Sequence, residues 1–244
     1  MKSEKYQKRF YREWVKAPDL CHAQIIVQET DMHILTDKPI DENSVEERIR
    51  FYRRQIESYI QKDRRFLTSL KPIAVELKAP LIVRTMAAAA QKANVGPMAA
   101  VAGALAQCIG RHLLKKGYEE VIIENGGDIF LKIKKPRVIA LYAGKSKFSK
   151  KLRVKIKPQD SPLGICTSSS TVGHSLSFGE ADAAVIFSKN ASLADAVATA
   201  SANRVKKKKD LSAAISFART VKGVTAALII YKNNLASWGK IEFI

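Results

Sequence analysis

Hydrophobic positions recur along this chain with two different periods, and the period changes mark the elements. Short apolar runs at Gln24–Val27 and Met32–Leu35 flank the turn-like Glu29-Thr30-Asp31 and predict two strands. Lys38-Pro39-Ile40-Asp41 breaks the pattern. Val45, Ile49, Tyr52, Ile56, Tyr59 and Ile60 then repeat at helical spacing with Arg and Lys between them. This predicts an amphipathic helix from Ser44, where Ser44 and Glu47 form a capping-box pair, to about Leu70, before Lys71-Pro72. Met86–Leu114 is rich in alanine and interrupted by Asn94-Val95-Gly96-Pro97. It reads as a short helix, a break, and a helix from Pro97 to about Lys116, small enough in its side chains to lie close against a sheet.

The second half alternates more quickly. Val121–Glu124 and Ile129–Ile133 read as strands joined by Asn125-Gly126-Gly127-Asp128, a strong hairpin signal. Strands are expected at Val138–Ala143, Leu152–Ile156, Ala183–Phe187, Val224–Tyr231 and Ile241–Ile244, and helices at Ser192–Val205 and Asp210–Val221. No internal repeat is visible. Helices interleaved with hairpins point to α+β or mixed α/β.

Composition narrows the class. In 244 residues, Lys and Arg total 42 against 23 Asp and Glu, a net charge of +19, with 46% hydrophobic residues. The apolar share excludes a disordered chain, and 12 Gly with 8 Pro exclude a collagen-like one. Cys21, Cys108 and Cys166 form no Cys-x-x-Cys pair, which argues against a zinc ribbon and a disulfide framework. A charged start without a following apolar stretch, and no long apolar run, predict neither export nor a membrane span and make a reducing, cytoplasmic setting the expectation. The charge itself fits nucleic acid, a small anionic ligand, or a solvated basic surface. Basic, aromatic residues 1–20 read as an arm that docks on the core or contacts RNA. Lys206–Lys209 reads as a solvated turn between helices.

Three segments carry candidate chemistry. In Glu124-Asn-Gly-Gly-Asp128 the glycines let backbone N–H groups approach a ligand, and Asp128 can accept a hydrogen bond; the alternative is a plain hairpin turn. Thr167–Thr171 are five consecutive hydroxyl residues between Gly164 and Gly173, able to line an anion pocket or to form a flexible loop. His174 follows as a candidate general base, and Cys166 reads as buried filler or a reactive thiol. Asp195 and Thr199, four apart on a helix, present hard oxygen donors suited to Mg²⁺; alternatively Asp195 complements the dipole at its own helix start.

Taken in order, Gly96-Pro-Met-Ala-Ala-Val-Ala-Gly103, Glu124-Asn-Gly-Gly-Asp-Ile129, Thr167-Ser-Ser-Ser-Thr-Val-Gly-His-Ser175, Phe178-Gly-Glu-Ala-Asp182 and Ala194-Asp-Ala-Val-Ala-Thr199 resemble the ApbE superfamily, whose typical members are FAD:protein FMN transferases. The pattern is most similar to a short, functionally uncharacterised branch. The resemblance implies one ApbE-like domain over residues 1–244, with an α+β fold of mixed sheets packed with helices in two similar, intertwined α/β halves. It implies Mg²⁺ held by Asp195, Thr199 and the Ala99 carbonyl, and a flavin nucleotide pocket lined by Gly126, Gly127, Asp128, Thr167, Ser168 and Ser169. It assigns His174 to the reacting phosphate. It implies FAD or a related nucleotide as ligand, an acceptor protein as partner of a transferase, and leaves a homo-oligomer open. The pattern departs from the family where Ala100-Val101 replace Lys-Gly and where His174-Ser-Leu-Ser177 lacks an Asp-Pro element. A different small anionic substrate on the same fold is therefore the alternative. A basic nucleic-acid-binding module is the second alternative, weakened because the apparent site is acidic while the excess Lys and Arg lie elsewhere.

Overall fold

The computed structural model describes residues 17–141, 143, 146–149, 152–169 and 179–244. Eight of its strands form one sheet in the order β1-β2-β3-β4-β7-β8-β9-β10, and every pairing between neighbours is antiparallel. The strands are β1 (Cys21–Val27), β2 (Thr30–Thr36), β3 (Val121–Asn125), β4 (Asp128–Lys132), β7 (Leu163–Ser168), β8 (Ala183–Ser188), β9 (Val224–Tyr231) and β10 (Asn234–Gly239). A separate ribbon pairs β5 (Arg137–Ala140) with β6 (Arg153–Ile156). The helices are α1 (Glu42–Lys62), α2 (Arg65–Thr68), α3 (Leu81–Ala93), α4 (Val101–Lys115), α5 (Ala191–Ala202) and α6 (Asp210–Thr220), and Pro97–Ala100 make a single 3-10 turn before α4. Antiparallel strands packed with helices make this an α+β fold.

Alternation along the strands separates two cores. Met32, Ile34, Val121, Ile123, Phe130, Cys166 and Ile186 face the helical layer built from α1, α3, α4 and α5. Leu35, Ile122, Ile129, Leu131, Ile165 and Val185 face the other way, under the β5–β6 ribbon, where Ala17 and Leu20 also pack. The described end of the basic arm thus docks on the core, and Asp19 pairs with Arg137; residues 1–16 lie outside the described residues. Helix α6 packs on β9 and β10.

Every residue of α5 is buried, which sets it as the axis of the helical layer. Three elements fix its first residue. The Ala191 N–H donates to Gln107 Oε1 of α4 at 2.8 Å, and the Ala191 carbonyl accepts from Cys166 Sγ of β7 at 3.3 Å. Gly103 of α4 and Gly164 of β7 flank it; a Cβ on either would fall 2.4 Å from an Ala191 backbone atom. Only the smallest residue allows helices and sheet to meet this closely.

Several boundaries differ from the sequence reading. The cap of helix α1 lies three residues earlier than expected, at Asp41 rather than Ser44: its Oδ1 accepts from the Ser44 N–H at 3.1 Å. It ends at Lys62, where Asp63 adopts an extended conformation and binds the Arg65 side chain, so the expected run to Leu70 is two helices. The hydroxyl-rich segment begins as strand β7 rather than as loop, and β10 was not anticipated. At the expected closing strand, the structure has a single bridge between Phe243 and Val154.

Candidate functional site

The N-terminus of α4, the first turns of α5, the β3–β4 hairpin and the end of β7 converge. Helix α4 starts after Ala100, a residue with no side-chain acceptor; the Val101 N–H donates to the Met98 carbonyl of the preceding turn, and the N–H groups after it have no side-chain cap from Ala100. Asp195 of α5 supplies one across the interface. Its Oδ2 accepts from the Gly103 N–H at 2.9 Å, and the Ala102 N–H also contributes. Gly103 is the third residue of α4, the position that an ordinary N-cap serves. Asp195 therefore sits at the positive end of α4's dipole, not of its own helix, whose cap is Asn190 accepting from the Leu193 N–H at 3.0 Å. The dipole role expected of Asp195 exists, but for another helix.

The hairpin turn is Gly126-Gly127, one position later than Asn-Gly would place it. Both residues have positive φ (68° and 99°), as a tight two-residue turn of the type I′ class requires. Glu124 Oε1 accepts from the Gly127 N–H at 2.7 Å and holds the turn. Asn125 pairs with Asp128 across it, and the Asn125 Nδ2 donates to the Ala102 carbonyl at 3.2 Å, tying the hairpin to the start of α4. Asp128, the first residue of β4, accepts from the Thr167 N–H at 3.3 Å. Gly127 lies beside Thr167: an added Cβ would be 3.8 Å from the Thr167 carbonyl.

Two carboxylates are thus buried together. Burial raises Asp128 well above the ordinary carboxylate range, and the neighbouring Asp195 raises it further. Burial also raises Asp195, against the lowering effect of the Gly103 and Ala102 N–H groups. Among the described residues neither has a Lys or Arg ion-pair partner. Burial pushes the Cys166 thiol up as well, with Asp128 adding to the effect, which describes an inert, protonated filler rather than a reactive thiolate. Thr199 is buried one helical turn beyond Asp195, and the 3-10 turn that carries Ala99 packs against α5. The Ser168 hydroxyl is buried without a hydrogen-bond partner among the described residues. Ser169 follows the end of β7, and His174 lies outside the described residues.

Two carboxylates without a counter-charge among the described residues, a hydroxyl one turn away and a second hydroxyl without a described partner make a set of hard oxygens. Such a set suits a small divalent cation that takes its other ligands from water and phosphate. Among the described residues no cluster of three or more His, Cys, Asp or Glu forms a protein-only metal cage. The residues therefore fit a metal shared with a ligand. The sequence reading singled out Asp128, Asp195 and Thr199 but not Gln107, Asn125 or the backbone donors of α4. A polar residue buried in an alanine-rich helix was the signal available for Gln107.

Comparison with known proteins agrees with this architecture. The family model described as AbpE bacteria matches residues 12–226. A UPF0280 protein of Methanocaldococcus jannaschii is 42% identical over 223 residues, covering 89% of this chain and 90% of its own length. One from Methanosarcina acetivorans is 40% identical over 231 residues, covering 94% and 90%. Among solved structures, the flavin transferase ApbE of Vibrio cholerae superposes with a TM-score of 0.60 at 13% identity, covering 91% of this chain and 97% of that one. The ApbE protein of Thermotoga maritima gives 0.60 at 12% identity, covering 89% and 96%. At these identities the structures speak to the fold, while the family model and the relatives speak to descent. The chain belongs to the AbpE bacteria family, within the short UPF0280 branch of the ApbE superfamily.

Proposed function

We propose that this protein binds FAD or a related diphosphate nucleotide together with Mg²⁺, at the junction of α4, α5, the β3–β4 hairpin and β7. The observation that carries the reading is the buried Asp128–Asp195 pair, which has no cationic partner among the described residues and sits where four elements converge. Asp195, Thr199 and the Ala99 carbonyl are the groups that would hold the metal. When bound, Mg²⁺ would neutralise charge on the diphosphate.

The chain's own residues have separable tasks. Asp195 joins α4 to α5 and presents its carboxylate to the site. Gly126 and Gly127 bring backbone close to the nucleotide, with Glu124 fixing their turn. Asp128 accepts from donors of the flavin or ribose, and Ser168 offers a hydroxyl that has no hydrogen-bond partner among the described residues. The reaction we propose is transfer of FMN, in line with the structural neighbours of this chain that are named as flavin transferases. In it, an acceptor hydroxyl oxygen attacks the FMN phosphorus, the phosphoanhydride bond breaks, and AMP leaves. We assign the proton of that hydroxyl to His174.

The solved structures of the same fold that are named as flavin transferases support flavin as the ligand class. The test is calorimetric titration of FAD with and without Mg²⁺ in the wild type, Asp195→Asn and Asp195→Ala. The amide keeps an acceptor for Gly103, so Asp195→Asn folds and loses metal-dependent binding, while Asp195→Ala also loses stability. Absence of FAD binding in the wild type would overturn the reading.

A further inference from the structure

A second concave surface lies on α1 and the segment before α3. Phe51, Arg54, Gln55, Ser58, Tyr59 and Lys62 of α1, with residues 76 and 78–80, line a groove of about 610 Å³. The α1 positions follow i, i+3, i+4, i+7, i+8 and i+11, one stripe of the helix. At about 1.5 Å per residue the stripe is roughly 16 Å long, the reach of a peptide of three helical turns.

Exposed apolar residues lie in the groove and next to its lining in the chain. Leu77, between two lining residues in the chain, is 89% exposed; Leu81, directly after Pro80, is 67%; and Phe51 is 40%. Single exposed leucines are ordinary, but Leu77 and Leu81 flank the lining residues 78–80 in the chain and Phe51 lines the groove itself, a local concentration of exposed apolar residues of the kind that marks interaction sites. Its charge is one-sided. Lys62 is held by both carboxylate oxygens of Glu76 at 2.7 Å, which neutralises that pair. Arg54 and Lys78 have no ion-pair or hydrogen-bond partner among the described residues and leave the lining cationic.

We propose that this groove docks an acidic amphipathic segment of a protein partner, its apolar face against Phe51, Leu77 and Leu81 and its carboxylates on Arg54 and Lys78. Charge argues for this occupant over a second copy of the chain, since each copy carries +19 and two cationic linings would meet. Concavity and a one-helix length favour a peptide over a flat lipid surface. The proposal is independent of the nucleotide reading.

The experiment uses the full chain and a fluorescein-labelled fifteen-residue peptide with Leu at helical spacing and Glu between. Saturable anisotropy binding is expected, weakened at least tenfold by Arg54→Glu/Lys78→Glu and also weakened by Leu77→Ser/Leu81→Ser. All four positions are exposed, so thermal unfolding should be unchanged. Lys207→Glu/Lys208→Glu, the same charge change at the α5–α6 turn, should bind as the wild type does. The proposal is overturned by absence of saturable binding, or by equal loss in that control, which would mean attraction by net charge alone. Two further results overturn it: binding to vesicles containing phosphatidylglycerol but not to the peptide, or self-association that the groove variants abolish.

Discussion

Gly103→Ala probes the contact on which the candidate site is built. An added Cβ would sit 2.4 Å from the Ala191 carbonyl oxygen and 2.9 Å from the Asp195 Cβ. Ordinary contact needs about 3.5 Å, so α4 and α5 must part by roughly 1 Å. The obstacle is helix backbone, which cannot rotate away as a flexible side chain can. The Gly103–Asp195 hydrogen bond, now 2.9 Å, would lengthen beyond bonding range. Overpacking costs about 1–3 kcal/mol, and loss of a hydrogen bond to a charged acceptor about 1.5–3 kcal/mol. The higher helix propensity of alanine returns roughly 1 kcal/mol. The net expectation is about 1.5–5 kcal/mol of destabilisation, which for a domain of this size lowers Tm by roughly 3–20 °C. Thermal unfolding followed by circular dichroism measures it. Gly117→Ala is the control: φ there is +83° but the nearest atom to an added Cβ is 4.0 Å away, so only backbone strain of about 1–2 kcal/mol applies. A Tm for Gly103→Ala within 2 °C of the wild type would refute the close approach of α4 and α5.

Other outcomes follow from the same structure. Arg137 donates from Nε to the buried Glu120 at 2.6 Å, so Arg137→Met strands a buried carboxylate and should cost about 3–5 kcal/mol, read by urea unfolding; Glu120→Gln in the same background should recover part of the loss. The Arg137 guanidinium holds the Asp19 carboxyl well below its ordinary range. A depressed carboxylate stabilises the fold above the unfolded pKa of about 3.9 and loses that contribution as pH falls below it. Acid unfolding between pH 5 and pH 2 should therefore be less steep in Asp19→Asn than in the wild type, and identical slopes would contradict the pairing. Removal of divalent ions with EDTA should lower Tm and Mg²⁺ should restore it in the wild type, with Asp195→Asn indifferent to both; an unchanged wild-type Tm would count against a cation at the buried pair.

The outline of this fold was readable where local chemistry acts alone. Two glycines after Asn125 marked the hairpin, and the Ala-rich runs on either side of Gly96-Pro97 marked α3 and α4 with the turn between them. Strand β7 was hidden because its inward positions, Gly164, Cys166 and Ser168, are small so that α5 can approach. That removes the large apolar residues by which a strand is recognised. The start of α1 was ambiguous because Asp41 and Ser44 can do the same capping chemistry one turn apart. The spacing of Asp195 and Thr199 placed two oxygens on one helix face. The partner of Asp195 could not be read locally: Gly103 lies 92 residues away, and only the packed helices bring them together. The cationic groove was also invisible, since its lining comes partly from α1 and partly from residues 76 and 78–80, which only the folded chain brings together.

In the proposed site the carboxylate of Asp195 couples a divalent cation to nucleotide binding. The direct measurement is the FAD dissociation constant as a function of Mg²⁺ concentration, in the wild type and in Asp195→Asn. At least tenfold tightening is expected as Mg²⁺ rises in the wild type, with a flat dependence in the variant. Equal dependence on Mg²⁺ in both proteins would contradict it, as would FAD binding indifferent to Mg²⁺ in either.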